Sequence, residues 1–167
     1  MVDSTAKKSQ IGAKKEVLTG EFTVSVDEKG RILIPSRLKS ELGAENVVIT
    51  KSSDSRKCLQ VLKKESFESL ANTLLSSPLS AFSKENKLLQ MRLIAPAQEV
   101  SFDKAGRVMI HTSLREFASI EVKTEVIVLG MLDRLEIWNK DEYKASLESA
   151  DDPLLIEEAV AHLFEQK

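Results

Sequence analysis

One segment of the chain occurs twice, and this repeat limits the possible folds more than any other feature of the sequence. Val24–Pro35 reads VSVDEKGRILIP, and Val100–His111 reads VSFDKAGRVMIH, 76 residues later. At the same offset, Leu59–Phe67 aligns with Leu135–Tyr143. We therefore interpret most of the chain as two copies of one module.

The copies and the segments around them divide the 167 residues into five parts. We predict a disordered N-terminal tail at 1–18, a first module at 19–68, a helical connector at 69–94, a second module at 95–144 and an acidic C-terminal helix at 145–167. A unit of about 45 residues rarely buries enough apolar area to fold alone. We expect the two modules to complete each other's sheet as a pseudo-twofold unit, mainly β with short helices.

Each module carries the signals of a hairpin, a short helix and two more strands. In the first module, apolar residues alternate with polar ones up to Val26, as in a half-buried strand. Asp27 and Gly30 fit the first and fourth positions of a type I turn. The segment Ser36–Leu42 is predicted to be a helix that ends at Gly43. The second module shows the same order of signals.

The C-terminal segment has the pattern of an amphipathic helix. Asp152 is a good N-cap and Pro153 suits the first helical position. One wide apolar face at helical spacing is formed by Leu155, Ile156, Ala159, Val160, Leu163 and Phe164. Packing of this face on the chain's own body is the favoured interpretation, and packing on a neighbouring subunit is the alternative.

Composition and charge exclude several classes of protein. No apolar run is long enough for a membrane span, and the N-terminus does not resemble a secretory signal, so a cytoplasmic protein is expected. The single cysteine, Cys58, excludes an intrachain disulfide. No catalytic or metal-binding constellation is present, so we predict a protein that is not an enzyme and uses no cofactor or metal.

The net charge of −2 hides an uneven distribution. Residues 141–167 contain eight acidic and two basic residues, which leaves the rest of the chain with a net charge of +4. A mildly basic body beside an acidic tail is compatible with DNA binding.

The repeated hairpin also suggests a chemistry. An arginine at a hairpin tip, such as Arg31, can contact guanine O6 and N7 in the major groove, and Lys29 could contact a phosphate. The alternative is that Arg31 only pairs with Asp27 to hold the turn. A turn needs the aspartate and the glycine but not the arginine. Retention of the arginine in both copies therefore favours a function for it.

These residues resemble a known family. Val26–Pro35 is similar to the first half of the MraZ family, and Phe102–Ile110 to the second. The resemblance implies two SpoVT-AbrB-like, swapped-hairpin modules in a bacterial transcription factor. It further implies a ring-shaped homo-oligomer that binds direct repeats in double-stranded DNA upstream of the division and cell-wall gene cluster, which includes its own gene. Such a protein would be nucleoid-associated, with no membrane contact.

The resemblance assigns roles residue by residue. Arg31 and Arg107 are the DNA-contacting candidates, with Lys29 beside the first and Lys104 beside the second. Ala105 stands where the first module has Lys29, so the two tips are expected to differ. The residues expected to support the loops are Asp27, Gly30, Asp103 and Gly106.

Two other functions remain open from the sequence. One is an AbrB-like antitoxin that neutralises a partner protein, although two modules and a helical C-terminus disfavour it. The other is a structural oligomer in which Arg31 and Arg107 form only ion pairs.

Overall fold

The computed structural model describes residues 17–76 and 83–165, and these form eight strands and six helices. The strands are β1 Glu21–Ser25, β2 Arg31–Leu33, β3 Asn46–Lys51, β4 Leu59–Lys63, β5 Gln98–Ser101, β6 Arg107–Met109, β7 Glu125–Met131 and β8 Arg134–Asn139. The helices are α1 Ser36–Leu42, α2 Lys64–Ser76, α3 Lys84–Leu89, α4 Thr112–Phe117, α5 Lys140–Ala150 and α6 Pro153–Glu165. A π-helical turn, Gln90–Ile94, continues α3.

The two modules share one antiparallel sheet of six strands, in the order β1-β7-β8-β4-β3-β5. The first strand of each module pairs with the third strand of the other, since β1 pairs with β7 and β5 pairs with β3. The fourth strands, β4 and β8, pair at the centre of the sheet. This exchange confirms the predicted swapped-hairpin fold with its pseudo-twofold arrangement.

A second, two-stranded sheet joins the return strands of the two hairpins. In this β2–β6 ladder, Arg31 lies opposite Met109, and Leu33 lies opposite Arg107. The central pair, Ile32 and Val108, is fully buried. The ladder therefore fixes the two hairpin turns in one position relative to each other.

One hydrophobic core lies between the large sheet and the β2–β6 ladder. Many of its members are related by the 76-residue offset: Ile32 with Val108, Ile34 with Ile110, and Leu38 with Leu114 are all buried. Because both copies contribute to the same core and the same sheet, the module boundaries given above remain a prediction.

Helix α1 begins and ends as its sequence predicts. It starts directly after Pro35, and Gly43 ends it with a left-handed conformation at φ 60°. The backbone N–H of Gly43 donates to the carbonyl of Lys39, which closes the last turn.

The opposite face of the large sheet holds a buried carboxylate, Glu136. It accepts hydrogen bonds from Trp138 Nε1 at 2.8 Å and Arg56 Nη2 at 2.9 Å, and the thiol of Cys58 lies 3.4 Å away. Burial is the main cause that raises the pKa of the Cys58 thiol to about 12, and the charge of Glu136 adds to it. Cys58 is therefore a packing residue whose thiolate is suppressed.

Two sequence-based expectations need correction. The predicted tail included Leu18, but Leu18 is buried and exchanges backbone hydrogen bonds with Leu132. Residues 1–16 of that tail lie outside the described part of the chain. The favoured packing of the C-terminal helix was also wrong, because all thirteen residues of α6 are exposed. The apolar face exists, but the described part of the chain leaves most of it uncovered.

Among the described residues, no helix is both long and apolar enough to cross a membrane.

Candidate nucleic-acid interface

Each hairpin turn is built around an aspartate that binds the chain on both sides of the turn. Asp27 Oδ1 accepts hydrogen bonds from the backbone N–H groups of Lys29 (2.9 Å) and Arg31 (2.8 Å), and its Oδ2 accepts from Arg31 Nε at 2.8 Å. Asp103 makes the same three contacts, with Ala105 and Arg107, at 3.0, 2.8 and 2.8 Å. The turn and the arginine are thus held by one carboxylate.

The glycine of each turn is required by its backbone conformation. Gly30 and Gly106 have φ values of 81° and 85°, a backbone conformation that residues other than glycine rarely adopt. A Cβ atom on Gly30 would also lie 2.8 Å from Nε of Arg115. The two glycine carbonyls accept hydrogen bonds from the other module, at Ile110 and Ile34 respectively. Each turn is therefore anchored to the opposite hairpin.

The β2–β6 ladder brings the two aspartates and the two arginines into one group, which we call the Asp–Arg cluster: Asp27, Arg31, Asp103 and Arg107. Besides its own aspartate, each arginine reaches the aspartate of the other module. Arg31 Nη1 lies 3.8 Å from Asp103 Oδ2, and Arg107 Nη1 lies 3.8 Å from Asp27 Oδ2. The four charges alternate in sign and sum to zero.

The cluster is only partly covered. Its four side chains are between 27% and 37% exposed, so solvent and a ligand can reach them. In the described part of the chain, no partner contacts Nη2 of Arg31 or of Arg107. Each guanidinium is hydrogen-bonded to its own aspartate through Nε, whereas its Nη1 is only at ion-pair distance from the second aspartate, so the Nη groups keep N–H donors for a ligand.

The environment of the aspartates favours their charged form. The backbone N–H of Arg31 is the largest cause that lowers the pKa of Asp27 below 3.8; desolvation opposes it, and the Arg31 guanidinium adds to the lowering. The pKa of Asp103 is lowered in the same way by Arg107. Both aspartates are therefore charged at neutral pH and can pair with the arginines.

The exposed tips of the two turns differ in charge. Glu28 and Lys29 occupy the first tip and cancel, whereas Lys104 and Ala105 occupy the second. With the Asp–Arg pair of each turn neutral, the first tip has no net charge and the second has a net charge of +1. The second tip lacks a lysine at Ala105, but it has Lys104 where the first tip has the acidic Glu28. The second tip is therefore more basic than the first.

Two further cations lie beside the turns, and sequence reasoning missed them. Lys39 of α1 lies against the second turn, with its Nζ 4.0 Å from a Cβ position on Gly106, and Arg115 of α4 lies against the first turn at Gly30. Arg115 Nε donates to the carbonyl of Ile110 at 3.1 Å. The signal was available, because the offset of 76 pairs Lys39 with Arg115 and both are basic.

Together these residues form one surface, which we call the tip surface. It consists of Asp27, Glu28, Lys29, Arg31, Lys39, Asp103, Lys104, Arg107 and Arg115. Six basic and three acidic side chains give it a net charge of +3, although the whole chain is acidic. Such a surface can attract phosphates, and its held guanidinium groups can donate paired hydrogen bonds to a planar acceptor.

Comparison with known proteins agrees with this geometry. A family model described as "MraZ protein, putative antitoxin-like" matches residues 17–90 and again residues 93–164. The two matches cover most of the chain and coincide with its internal repeat.

The chain belongs to the MraZ family. Curated MraZ relatives named "Transcriptional regulator MraZ" match it over most of their length. The relative from Treponema denticola is 35% identical over 134 residues, which are 80% of this chain and 90% of the relative. The relative from Treponema pallidum (strain Nichols) is 36% identical over 80% of this chain and 86% of its own. The relative from Caldanaerobacter subterraneus is 35% identical over 88% and 96%.

The lowered pKa of the two aspartates can be measured directly. NMR titration of their side-chain carboxyl carbons is expected to give midpoints below 3.8 for Asp27 and Asp103. A group with a lowered pKa stabilises the fold above its usual pKa, and this contribution disappears as the pH falls through the lowered value. In the Arg31→Ala variant, the midpoint of Asp27 should move up toward 3.8. An unchanged midpoint would contradict the pairing described for Arg31.

Proposed function

We propose that this chain is a sequence-specific, DNA-binding transcriptional regulator that contacts double-stranded DNA through the tip surface. Its targets would be direct repeats upstream of the division and cell-wall gene cluster, including its own gene. It would act in the cytoplasm, associated with the nucleoid and without chemistry of its own. The names of its relatives as transcriptional regulators support this class of function.

The observation that carries the proposal is the pair of aspartate-held arginines, Arg31 and Arg107, on one basic surface. An arginine held at Nε has lost much of its rotamer freedom before it binds, so less entropy is lost when it contacts a base. Its outward N–H groups match the two acceptors of guanine. Arg31 and Arg107 of one chain would then contact neighbouring bases within one repeat, because the β2–β6 ladder holds them side by side.

The basic neighbours of the cluster would add affinity without adding sequence information. Lys29, Lys104, Lys39 and Arg115 surround the turns and can contact phosphates on either side of the bases that the arginines read. Phosphate contacts position a protein on the duplex, whereas base contacts specify the site. The second tip, with its net positive charge, would bind more strongly than the first.

A homo-oligomer, in the form of a ring, would multiply these contacts. One tip surface offers few phosphate contacts, so its affinity should be modest and sensitive to salt. Several copies that meet spaced repeats gain affinity through effective concentration, since each later contact is intramolecular. A ring would therefore need several repeats in one target to bind tightly.

A purely structural role for the arginines is the competing explanation. Partly exposed ion pairs contribute little to stability, so the cluster gives a weak reason to keep an arginine in each copy. Lys39 and Arg115 are compatible with either explanation, because Lys39 also lies over the Phe102 ring and Arg115 donates to the carbonyl of Ile110. The two explanations differ in what removal of one arginine does to DNA binding.

The replacement Arg31→Ala is expected to abolish specific binding and to leave the oligomer intact. It removes the donors to a base and leaves the charge of Asp27 facing the DNA. Loss of one bidentate base contact costs about 1–3 kcal/mol of discrimination, or about 5- to 150-fold. These factors multiply over the copies of an oligomer that bind one target, which would remove specific binding. Gel shift with the DNA upstream of the gene measures binding, and size-exclusion chromatography measures assembly.

Arg134→Ala provides the matched control, because it removes an equally charged and partly exposed side chain from β8, outside the tip surface. It should bind like the parent chain. Retained operator binding by Arg31→Ala would contradict the role assigned to Arg31.

Lys39→Ala and Arg115→Ala are expected to have a different effect. Each should weaken binding to specific and unrelated DNA by a similar factor, and each should reduce the slope of log K against log salt by about 1. Fluorescence anisotropy at several salt concentrations would measure both. A loss confined to the specific DNA, with an unchanged salt slope, would show that these side chains do not contact phosphate.

A further inference from the structure

Helix α6 presents an apolar stripe that the rest of the chain leaves exposed. Leu154, Leu155, Ile156, Val160 and Leu163 are each between 46% and 75% exposed. Four of them, Leu155, Ile156, Val160 and Leu163, lie on one side of the helix at helical spacing, together with Ala159. Soluble monomers rarely leave so continuous an apolar surface in water, so the stripe points to a protein partner.

The carboxylates of α6 lie outside this stripe. Glu157, Glu158 and Glu165 lie outside the stripe on the same helix, and Asp151 and Asp152 directly precede it. Its partner should therefore combine apolar side chains with positive charge at the edges. A second α6 would meet the first requirement but would place acidic side chains opposite each other.

The same chain carries a surface that meets both requirements, on α3 and its π-helical continuation. Leu88 and Met91 are 55% and 62% exposed, and Lys84 and Lys87 lie on the same side of the helix, at spacings of three, four and seven residues. We call these four residues the α3 face. The buried side of this helix, with Asn86 and Leu93, is directed into the protein, so the α3 face is the side left for a partner.

The two surfaces do not satisfy each other within one chain, since both are exposed in the same structure. We propose that the stripe of α6 in one copy packs on the α3 face of a second copy, with the α6 glutamates near Lys84 and Lys87. This interface would supply the oligomer on which the proposed function rests. The interface is heterologous, because α6 of one copy meets the α3 face of the next copy.

A heterologous contact has a direct consequence for assembly. Each copy has one α6 and one α3 face, so a dimer leaves one of each unused. Further copies then add until the chain of contacts closes into a ring or continues as a filament. A ring of identical copies can therefore form through the α6–α3 interface alone.

Sedimentation velocity on the full-length chain without DNA would test the interface. Val160→Glu places a charge in the middle of the α6 stripe and should convert the assembly to monomers at micromolar concentration. Ala161→Glu adds the same charge on the other side of the same helix and should leave the assembly unchanged. Both positions are exposed, so circular dichroism and thermal stability should match those of the parent chain.

The second variant, Leu88→Glu, disrupts the α3 face instead of α6. It should also be monomeric alone. Mixed with Val160→Glu, it should form a dimer and nothing larger, because one copy keeps a working α6 and the other keeps a working α3 face. An interface of α6 with α6 cannot give this result.

Four results would overturn the proposal: a monomeric parent chain, an unchanged assembly for Val160→Glu, an unchanged assembly for Leu88→Glu, or no dimer in the mixture. The outcome is independent of the DNA contacts. If the tip surface does not bind DNA, the parent chain still assembles and the variants still complement. If the interface is wrong, the Arg31→Ala comparison is unaffected.

Discussion

The exchange of strands between the two modules is the constraint on which the rest of the structure depends. Neither module can complete its sheet alone, because β1 needs β7 and β5 needs β3. The exchange sets the return strands β2 and β6 side by side, and their pairing brings the two turns together. The Asp–Arg cluster and the placement of Lys39 and Arg115 beside the opposite turns follow from this pairing. Duplication within one chain therefore builds the fold and the tip surface together.

The cluster and the core have different tasks. The core is a continuous set of buried aliphatic side chains from both modules, and burial of such side chains is the main source of stability. The ion pairs of the cluster are partly exposed, where ion pairs add little stability. Their value lies in geometry, because one carboxylate fixes both the turn and the direction of the arginine. The cluster thus orients the donors, while the core holds the two hairpins in place.

Much of the fold could be predicted from the sequence because the signals were local. Alternation up to Val26, the turn at Asp27 and Gly30, and the end of α1 at Gly43 each depend on neighbouring residues only. The strand exchange was within reach because a single module is too small to stand alone. The contact of Arg31 with Asp103 could not be predicted, since it depends on how the two turns meet in space.

The C-terminal helix shows where a sequence pattern stops being informative. Its apolar periodicity correctly predicts a helix with one apolar face. The pattern does not say what covers that face, and the expectation of the chain's own body was wrong. Leu18 gave the opposite error, because a short segment after a polar stretch shows no periodicity, although the residue pairs with Leu132. Lys39 and Arg115 were missed because basic residues on short helices are usually solvated, and only the repeat marks them.

In the proposed complex, Arg31 and Arg107 contact bases while they stay paired with Asp27 and Asp103. NMR of the arginine side chains, with the DNA upstream of the gene added stepwise, tests it most directly. We expect the Nη signals of Arg31 and Arg107 to shift and broaden as they contact bases. Their Nε–H signals should remain protected from exchange, because the hydrogen bonds to Asp27 and Asp103 persist. Unchanged Nη signals at saturating DNA, or Nε–H groups that lose their protection on binding, would contradict the account.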